Sequence, residues 1–488
     1  MVQTAQAIKS VPRAARRAVV AYLAVAASVV LLMMVFGLWM RLAQGNLAAL
    51  APARFYQLLT VHGTGMVGSI ALASVAVQWF FLNKYIDLSA RVFLANLGLF
   101  LIGVVAILAS IFIGGFAGGW TFLYPLPAHS MGVWGPGAAA LFMGGLLVIG
   151  TGFLLLYLDI GRALLARYAS LWRALGVPQL LGSAQAAPPP AVIAGTMVLI
   201  VNTLGIVAGA AILVMSLVNL YDPAFRIDPL LAKNLIYFFG HVFINATIYM
   251  AITAVYEILP VYTGRPWKSS RVFIAGWVAS TVMVIIVYPH HLLMDFAMPQ
   301  WAEVVGQVIS YTSGLPVLVV TSYGALTIVH RSGIRWDVAS GLLFLSAFGW
   351  AAGVIPAIID ATIVVNQQMH NTLWVPGHFH FYLLIGVVSM VFGFMLYLAR
   401  GGRERPHARE RATDRLAFWA FALGALGFVA MFLYSGSHSV PRRYASHLAQ
   451  WVPYDRIASA FAAVVVLAAA VFVLRFLANL GRAARVEA

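Results

Sequence analysis

Twelve long apolar runs constrain this chain more than any other feature. They lie at about 18–41, 62–83, 92–115, 135–157, 190–217, 235–258, 272–293, 304–328, 337–359, 375–398, 416–436 and 457–479. A helix that crosses a hydrocarbon core needs about 20 predominantly apolar residues. Membrane-crossing strands instead alternate at period two over about ten residues. These runs are continuous, so the expected fold is all-α and integral to the membrane: a twelve-transmembrane-helix bundle. Residues 1–488 read as a single membrane domain. Composition agrees, with 62% hydrophobic and only 9% charged residues, against about 25% charged in soluble domains. Disorder, which needs low hydrophobicity and high charge, is excluded as well.

The net charge of +16 first suggests nucleic acid. Its placement argues otherwise. Of the 30 Lys and Arg residues, 23 fall in the N-terminal segment, in the loops after runs 2, 4, 6, 8 and 10, and in the C-terminal segment. The rest are Arg41, Arg54, Arg226, Lys233, Arg442, Arg443 and Arg456. The positive-inside rule then puts both termini in the cytoplasm. The basic excess reads as topology and contact with the anionic lipid bilayer, with no nucleic acid as partner. Lys9, Arg13, Arg16 and Arg17 precede the first run as they would in a signal peptide. That run is too long for a signal h-region, and no clear small-residue cleavage site follows. The longest loop, about 158–189, ends in the Ala/Pro-rich Ala186-Ala187-Pro188-Pro189-Pro190 and reads as a linker. There is no clear internal repeat.

With no cysteine and 12 histidines beside 14 acids, thiolate metal sites and covalent c-type haem are out, and soft-metal chemistry falls to histidine. Under the expected topology, His62 opens span 2 and His241 lies one to two turns into span 6. His290 and His291 end span 7, and His378 and His380 lie near the start of span 10. Six histidines from four helices thus share the outer third. An intramembrane ionisable residue marks a functional site by default. A lone membrane histidine is often only a hydrogen-bonded packing residue, but six at one depth are a ligand set. His378 and His380 are two apart, about 200° around a regular helix, so they serve two groups on opposite sides of span 10. Neutral imidazole suits Cu, Fe or Zn, and haem iron takes axial histidine. The arrangement that fits has three parts: a haem between His62 and His380, a second haem on His378, and a metal on His241, His290 and His291.

These residues resemble a known family. His370-Asn371-Thr372-Leu373-Trp374-Val375-Pro376-Gly377-His378-Phe379-His380 resembles the helix-10 signature of the haem–copper oxidase superfamily catalytic subunit, closest to its B-type members. Phe239-Gly240-His241, Pro289-His290-His291 and Val61-His62-Gly63-Thr64 resemble its helix-6, helix-7 and helix-2 motifs. Pro441-Arg442-Arg443-Tyr444 resembles the arginine pair that contacts haem propionates. The resemblance runs through the whole chain in order. It implies a low-spin haem, b-type by expectation, on His62 and His380, and a high-spin haem, b- or a-type, on His378. It implies CuB-type copper, with non-haem iron as the alternative, on His241, His290 and His291. Arg442, Arg443 and His370 would neutralise propionates. Taken alone, the arginines also fit a snorkelling interfacial pair, and His370 a plain surface histidine.

Two departures matter. Where the resembled oxidases carry a tyrosine four residues after the helix-6 histidine, this chain has Asn245, which has no redox chemistry. Tyr288 is weighed as a replacement, although it points away on a regular helix. Asn245 is read as a hydrogen-bond partner for a metal-bound N–O group or water, against a plain buried polar contact. Second, the helix-8 lysine is missing: Pro316 is followed by Val317-Leu318-Val319-Val320. No acid lies at mid-depth. A weak polar line of Tyr256, Glu257, Ser310, Tyr311, Thr312 and Ser313 is expected on the cytoplasmic side, while Asp360, Asp295 and Glu303 fall at the outer side.

The expected function is therefore reduction of nitric oxide to nitrous oxide at a haem/non-haem-metal centre, without proton pumping. One alternative is an oxygen-reducing cytochrome c or quinol oxidase with proton translocation. Another, from a different class, is a twelve-span transporter with broken helices and no haem. With neither a cysteine-based CuA motif nor a c-type haem motif, a small membrane-anchored subunit with a cupredoxin, CuA or cytochrome c domain is the expected electron-delivering partner. It would be fed by soluble cytochrome c, a cupredoxin or quinol. The expected location is a prokaryotic inner membrane, with the active site in the outer half.

Overall fold

A computed structural model describes residues 11–402 and 410–486. Lys9 and the basic residues of 403–409 lie outside the described residues. Among the described residues, twelve helices are long and apolar enough to cross a membrane: α1 Arg13–Gln44, α2 Pro52–Leu82, α3 Ala90–Phe112, α4 Pro136–Tyr168, α5 Pro190–Tyr221, α6 Pro229–Thr263, α7 Arg271–Leu292, α8 Gln300–Val329, α9 Val338–Asp360, α10 Trp374–Arg400, α11 Ala412–Ser437 and α12 Val452–Leu477. The architecture is the expected all-helical one. In lipid every backbone N–H and C=O must be satisfied within the protein, and a helix does this locally. Proline starts α2, α4, α5 and α6, where the missing N–H costs nothing.

Neighbours in sequence pack together: α1 on α2, α3 on α4, α5 on α6, α9 on α10 and α11 on α12, while α12 returns to α1. The innermost helices are α2 and α10, whose apolar windows are 83% and 89% buried. Both run through the middle of the bundle, and they carry His62, His378 and His380.

The helices differ from the sequence expectation where polar residues break the hydropathy signal. Helix α2 starts at Pro52, so His62 lies ten residues in, about 15 Å along the axis, and does not open the span. Residues 52–61 include Arg54, Gln57 and Thr60, which mask the helix. The expected linker is partly helical: α4 continues to Tyr168, and short helices follow at Leu171–Ala174 and Val177–Leu180.

Three spans change winding near the histidines. Helix α7 tightens to a 3₁₀ turn at Tyr288–Leu292, α8 breaks at Gly314, and α10 widens to a π-helix at Phe381–Val388, directly after His380. Such local rewinding re-aims side chains and recurs at functional sites.

Candidate metal centre

Helices α2, α6, α7 and α10 bring all six histidines to one cavity of about 470 Å³, lined by His62, His241, His290, His291, His378 and His380. The same cavity reaches Asn245, His370, Arg442 and Arg443. The six histidines, Asn245, His370 and the two arginines singled out from the sequence thus meet here.

At one side the rings of His241, His290 and His291 crowd together. Centroids lie 4.9 Å apart for His241–His290, 5.3 Å for His241–His291 and 4.3 Å for His290–His291. One nitrogen from each falls within 4.8 Å of the other two, a spacing that converges on one ion. The 3₁₀ turn makes this possible, because two adjacent residues cannot aim at one point from a regular α-helix. His241 Nδ1 lies 3.1 Å from His291 Nε2. Ser310 sits 2.6 Å from His290 Nδ1, leaving Nε2 for a metal. Among the described residues this is the one group of three or more His, Cys, Asp or Glu side chains close enough to share an ion, and it contains no carboxylate.

Asn245, one turn on from His241, donates Nδ2–H to the His241 carbonyl at 2.9 Å and lies 3.2 Å from His241 Nε2. Its amide is therefore engaged with the metal-cluster histidine itself. Tyr288 is turned away: its hydroxyl donates to Asn234 Oδ1 at 2.9 Å and its ring meets Phe238 edge-on.

Across the cavity, His62 Nδ1 lies 2.7 Å from the Met33 carbonyl and His380 Nδ1 lies 2.6 Å from the Pro376 carbonyl. Anchoring Nδ1 fixes each ring and leaves Nε2 for a ligand. Gly37 lets α1 approach, since a Cβ there would come within 2.8 Å of His62 Cε1. Gly240, beside His241, faces open space: a Cβ there would meet nothing within 4 Å. The helices leave a void between the histidines that side chains do not fill. The residues fit a ligand set in which His62, His380 and His378 would hold two haems and His241, His290 and His291 a metal.

The cavity's rim joins two loops. Thr372 pairs with Pro441 in an isolated β-bridge, Leu373 N–H donates to the Val440 carbonyl at 2.9 Å, and Arg442 N–H donates to the Asn371 carbonyl at 3.0 Å. This brings Arg442 and Arg443 to His370. Arg443 Nη2 also donates to Thr121 Oγ1 at 2.6 Å. Burial, then the two arginines, push the His370 imidazole down to about 4. Burial and Arg443 push Arg442 down to about 10. Burial leads in both cases, and the neighbouring arginines add to it.

Several cavity residues were not legible as such. Tyr237, one turn before His241, stacks on His291 with centroids 5.6 Å apart and planes 14° apart. The same-face spacing of 237 and 241 was the available signal. Asp360 Oδ2 lies 3.5 Å from His378 Nδ1. The Arg41 guanidinium lies 5.0 Å over Phe432, whose ring stacks on His380 at 5.1 Å, and Arg41 also pairs with buried Asp455.

The polar line expected on the cytoplasmic side does not hold together. Ser310 belongs to the metal cluster, and Tyr311 pairs with Thr362 just past α9. In the half away from the histidines, the Tyr256 hydroxyl meets Thr321 Oγ1 at 2.6 Å. Glu257 is held there by Lys84 at 2.7 Å and Tyr85 at 2.8 Å.

Comparison with known proteins identifies the family. Residues 17–465 match the family described as Cytochrome C and Quinol oxidase polypeptide I. Cytochrome c oxidase subunit 1 of Cereibacter sphaeroides is 24% identical over 274 residues, 54% of this chain and 46% of the relative. Heme-copper oxidase subunit I+III of Aeropyrum pernix is 25% identical over 474 residues, 90% of this chain and 53% of the relative. Quinol oxidase subunit 1 of Bacillus subtilis is 23% identical over 432 residues, 83% of this chain and 62% of the relative. The chain spans about half the length of the curated relatives it matches. A cryo-EM structure of a heme-copper terminal oxidase dimer shares the fold, with a TM-score of 0.78 at 21% identity, covering 97% of this chain and 85% of that one. The match replaces the transporter reading. On its twelve helices, its histidine cavity and a match over most of its length, the chain belongs to the Cytochrome C and Quinol oxidase polypeptide I family.

Proposed function

We propose that this chain is the catalytic subunit of a respiratory enzyme that reduces nitric oxide to nitrous oxide, without pumping protons. The observation that carries the reading is Asn245, hydrogen-bonded to His241 where the oxidase resemblance calls for a tyrosine. Reducing two NO to N₂O and water takes two electrons and two protons. Reducing O₂ to water takes four electrons, one of which the resemblance assigns to that tyrosine. An amide cannot supply it.

In this reading His62 and His380 hold the low-spin haem through Nε2, and His378 holds the high-spin haem. His241, His290 and His291 hold copper. Three imidazoles without a carboxylate favour copper over non-haem iron, which usually takes a carboxylate as well. When bound, the reduced high-spin haem and copper supply the two electrons. The chain's own residues do the positioning: Met33 and Pro376 carbonyls lock two rings, Ser310 locks a third, and Arg442, Arg443 and His370 offset propionate charge. Asn245 stands at the cluster's edge, where it can hydrogen-bond an N–O group or a water.

Protons are proposed to arrive from the histidine side of the membrane. Glu257, a buried acid of the opposite half, is already paired with Lys84. The positive-inside distribution makes the histidine side the outer one and both termini cytoplasmic. A small membrane-anchored cupredoxin, CuA or cytochrome c subunit in a prokaryotic inner membrane would deliver electrons. The test is metal analysis and haem extraction on the purified complex, followed by N₂O measurement under NO without oxygen. Two haems with one copper and N₂O formation support the reading; a preparation without copper, or without N₂O, defeats it.

One observation favours a second reading, oxygen reduction. Tyr237 stacks on His291, so a phenol does lie against the cluster, one turn before His241 where Asn245 is one turn after it. The relatives above carry oxidase names.

A further inference from the structure

His378 differs from the two other histidines assigned to haem. The Nδ1 atoms of His62 and His380 rest on neutral backbone carbonyls at 2.7 and 2.6 Å. His378 Nδ1 is buried with no hydrogen-bond partner among the described residues. The group it faces is a carboxylate, Asp360 Oδ2, at 3.5 Å. A buried imidazole N–H without an acceptor costs free energy comparable to a lost hydrogen bond, so the orientation of Asp360 needs a reason.

Asp360 is itself held in place. It is the last residue of α9 and 7% exposed. Asn366 Nδ2 donates to the Asp360 carbonyl at 2.7 Å and to its Oδ1 at 3.2 Å. With its carbonyl and Oδ1 taken by Asn366, Asp360 presents Oδ2 to His378. A ligating histidine commonly donates its other N–H to a carboxylate or carbonyl, which fixes the ring and raises its basicity. A carboxylate acceptor makes the stronger bond, roughly twice that of a neutral pair.

We propose that Asp360, steered by Asn366, is the positioning residue of His378: it accepts the Nδ1–H and makes this imidazole a stronger donor to iron than the carbonyl-anchored His62 and His380. The proposal rests on the reading that His378 is an iron ligand. Its consequence is a built-in difference between two haems in one cavity. Stronger donation stabilises ferric iron, so the high-spin haem would be harder to reduce than the same haem on a carbonyl-anchored histidine.

The test uses the purified, haem-loaded complex. Resonance Raman of the reduced protein reads the iron–imidazole stretch of the high-spin haem, and a redox titration reads both midpoint potentials. Asp360→Asn is expected to lower that stretch and raise the high-spin potential, with the low-spin haem unmoved. Asp360→Glu is expected to restore part of both. An unchanged stretch and potential in Asp360→Asn, with both haems retained, overturns the proposal. If Asp360→Asn loses haem, Asn366→Ala, which keeps the carboxylate but frees it, carries the test: a lowered stretch supports the role and an unchanged one overturns it. Failure of the underlying reading looks different. In that case His378→Ala keeps the high-spin spectrum and its stretch, and the iron ligand lies elsewhere.

Discussion

Asn245 Nδ2 lies 3.2 Å from His241 Nε2 and donates to the His241 carbonyl at 2.9 Å. One amide thus grips a metal-cluster histidine by both ring and backbone. A side chain that contacts a ligand in this way typically costs 10- to 100-fold in metal affinity or activity when removed. Asn245→Leu is therefore expected to lower NO turnover by about that factor and to reduce bound copper, while the low-spin haem spectrum stays unchanged. Copper content and rate measured on one sample check this. Asn245→Tyr adds a phenol without recreating the amide's contacts and should also lose NO turnover; an unchanged rate means that Asn245 is no determinant.

Tyr237→Phe separates the two functional readings. Phenylalanine keeps the stack on His291 and removes only the hydroxyl. NO consumption is expected to be little changed. If the phenol serves oxygen chemistry, O₂ uptake collapses in this variant, and stopped-flow with either gas reads the difference directly.

The histidines were legible from the sequence because a polar residue inside an apolar run stands out, and because spacing alone sends His378 and His380 to opposite faces of α10. Depth was less legible. Arg54, Gln57 and Thr60 hid the first ten residues of α2, so His62 looked terminal. Ser310 was assigned to the wrong half because its partner His290 lies on another helix, in a 3₁₀ turn that hydropathy does not signal. The Asp360–His378 relation crosses two helices and an intervening loop. No local pattern encodes such a contact, although Asp360 was already visible as an acid at the end of α9.

Lys84 and Glu257 form a 2.7 Å pair with side chains only 4% and 6% exposed. Breaking one member leaves a buried charge, at a cost of about 3–5 kcal/mol, whereas replacing both with apolar residues is often near neutral. Lys84→Met should lower the thermal midpoint markedly, and adding Glu257→Leu should recover it. The double variant also tests the proton route. If its NO turnover matches the parent, Glu257 is not an entry point; a large loss in a stable double variant means that it is.

The proton proposal has an electrical consequence. In sealed vesicles with the histidine face outward, NO turnover should consume protons from the outside medium and move no charge across the membrane. Vectorial uptake from the interior, read by an internal pH dye with a potential-sensitive probe, contradicts it.

Removing the metal cluster should spare the rest. His290→Ala deletes one of three nitrogens that lie within 4.8 Å of one another, while His62 and His380 keep their carbonyl anchors. Copper and NO turnover should fall together while the low-spin haem bands persist. Loss of every haem band on this one substitution would mean that the cluster is structural.

The most direct measurement is gas specificity of the purified complex with an artificial electron donor. NO and N₂O are followed under anaerobic conditions, and O₂ uptake is followed separately on the same enzyme. The account predicts rapid NO loss, one N₂O formed per two NO consumed, and weak O₂ uptake. Rapid four-electron reduction of O₂ to water with no N₂O from NO contradicts it.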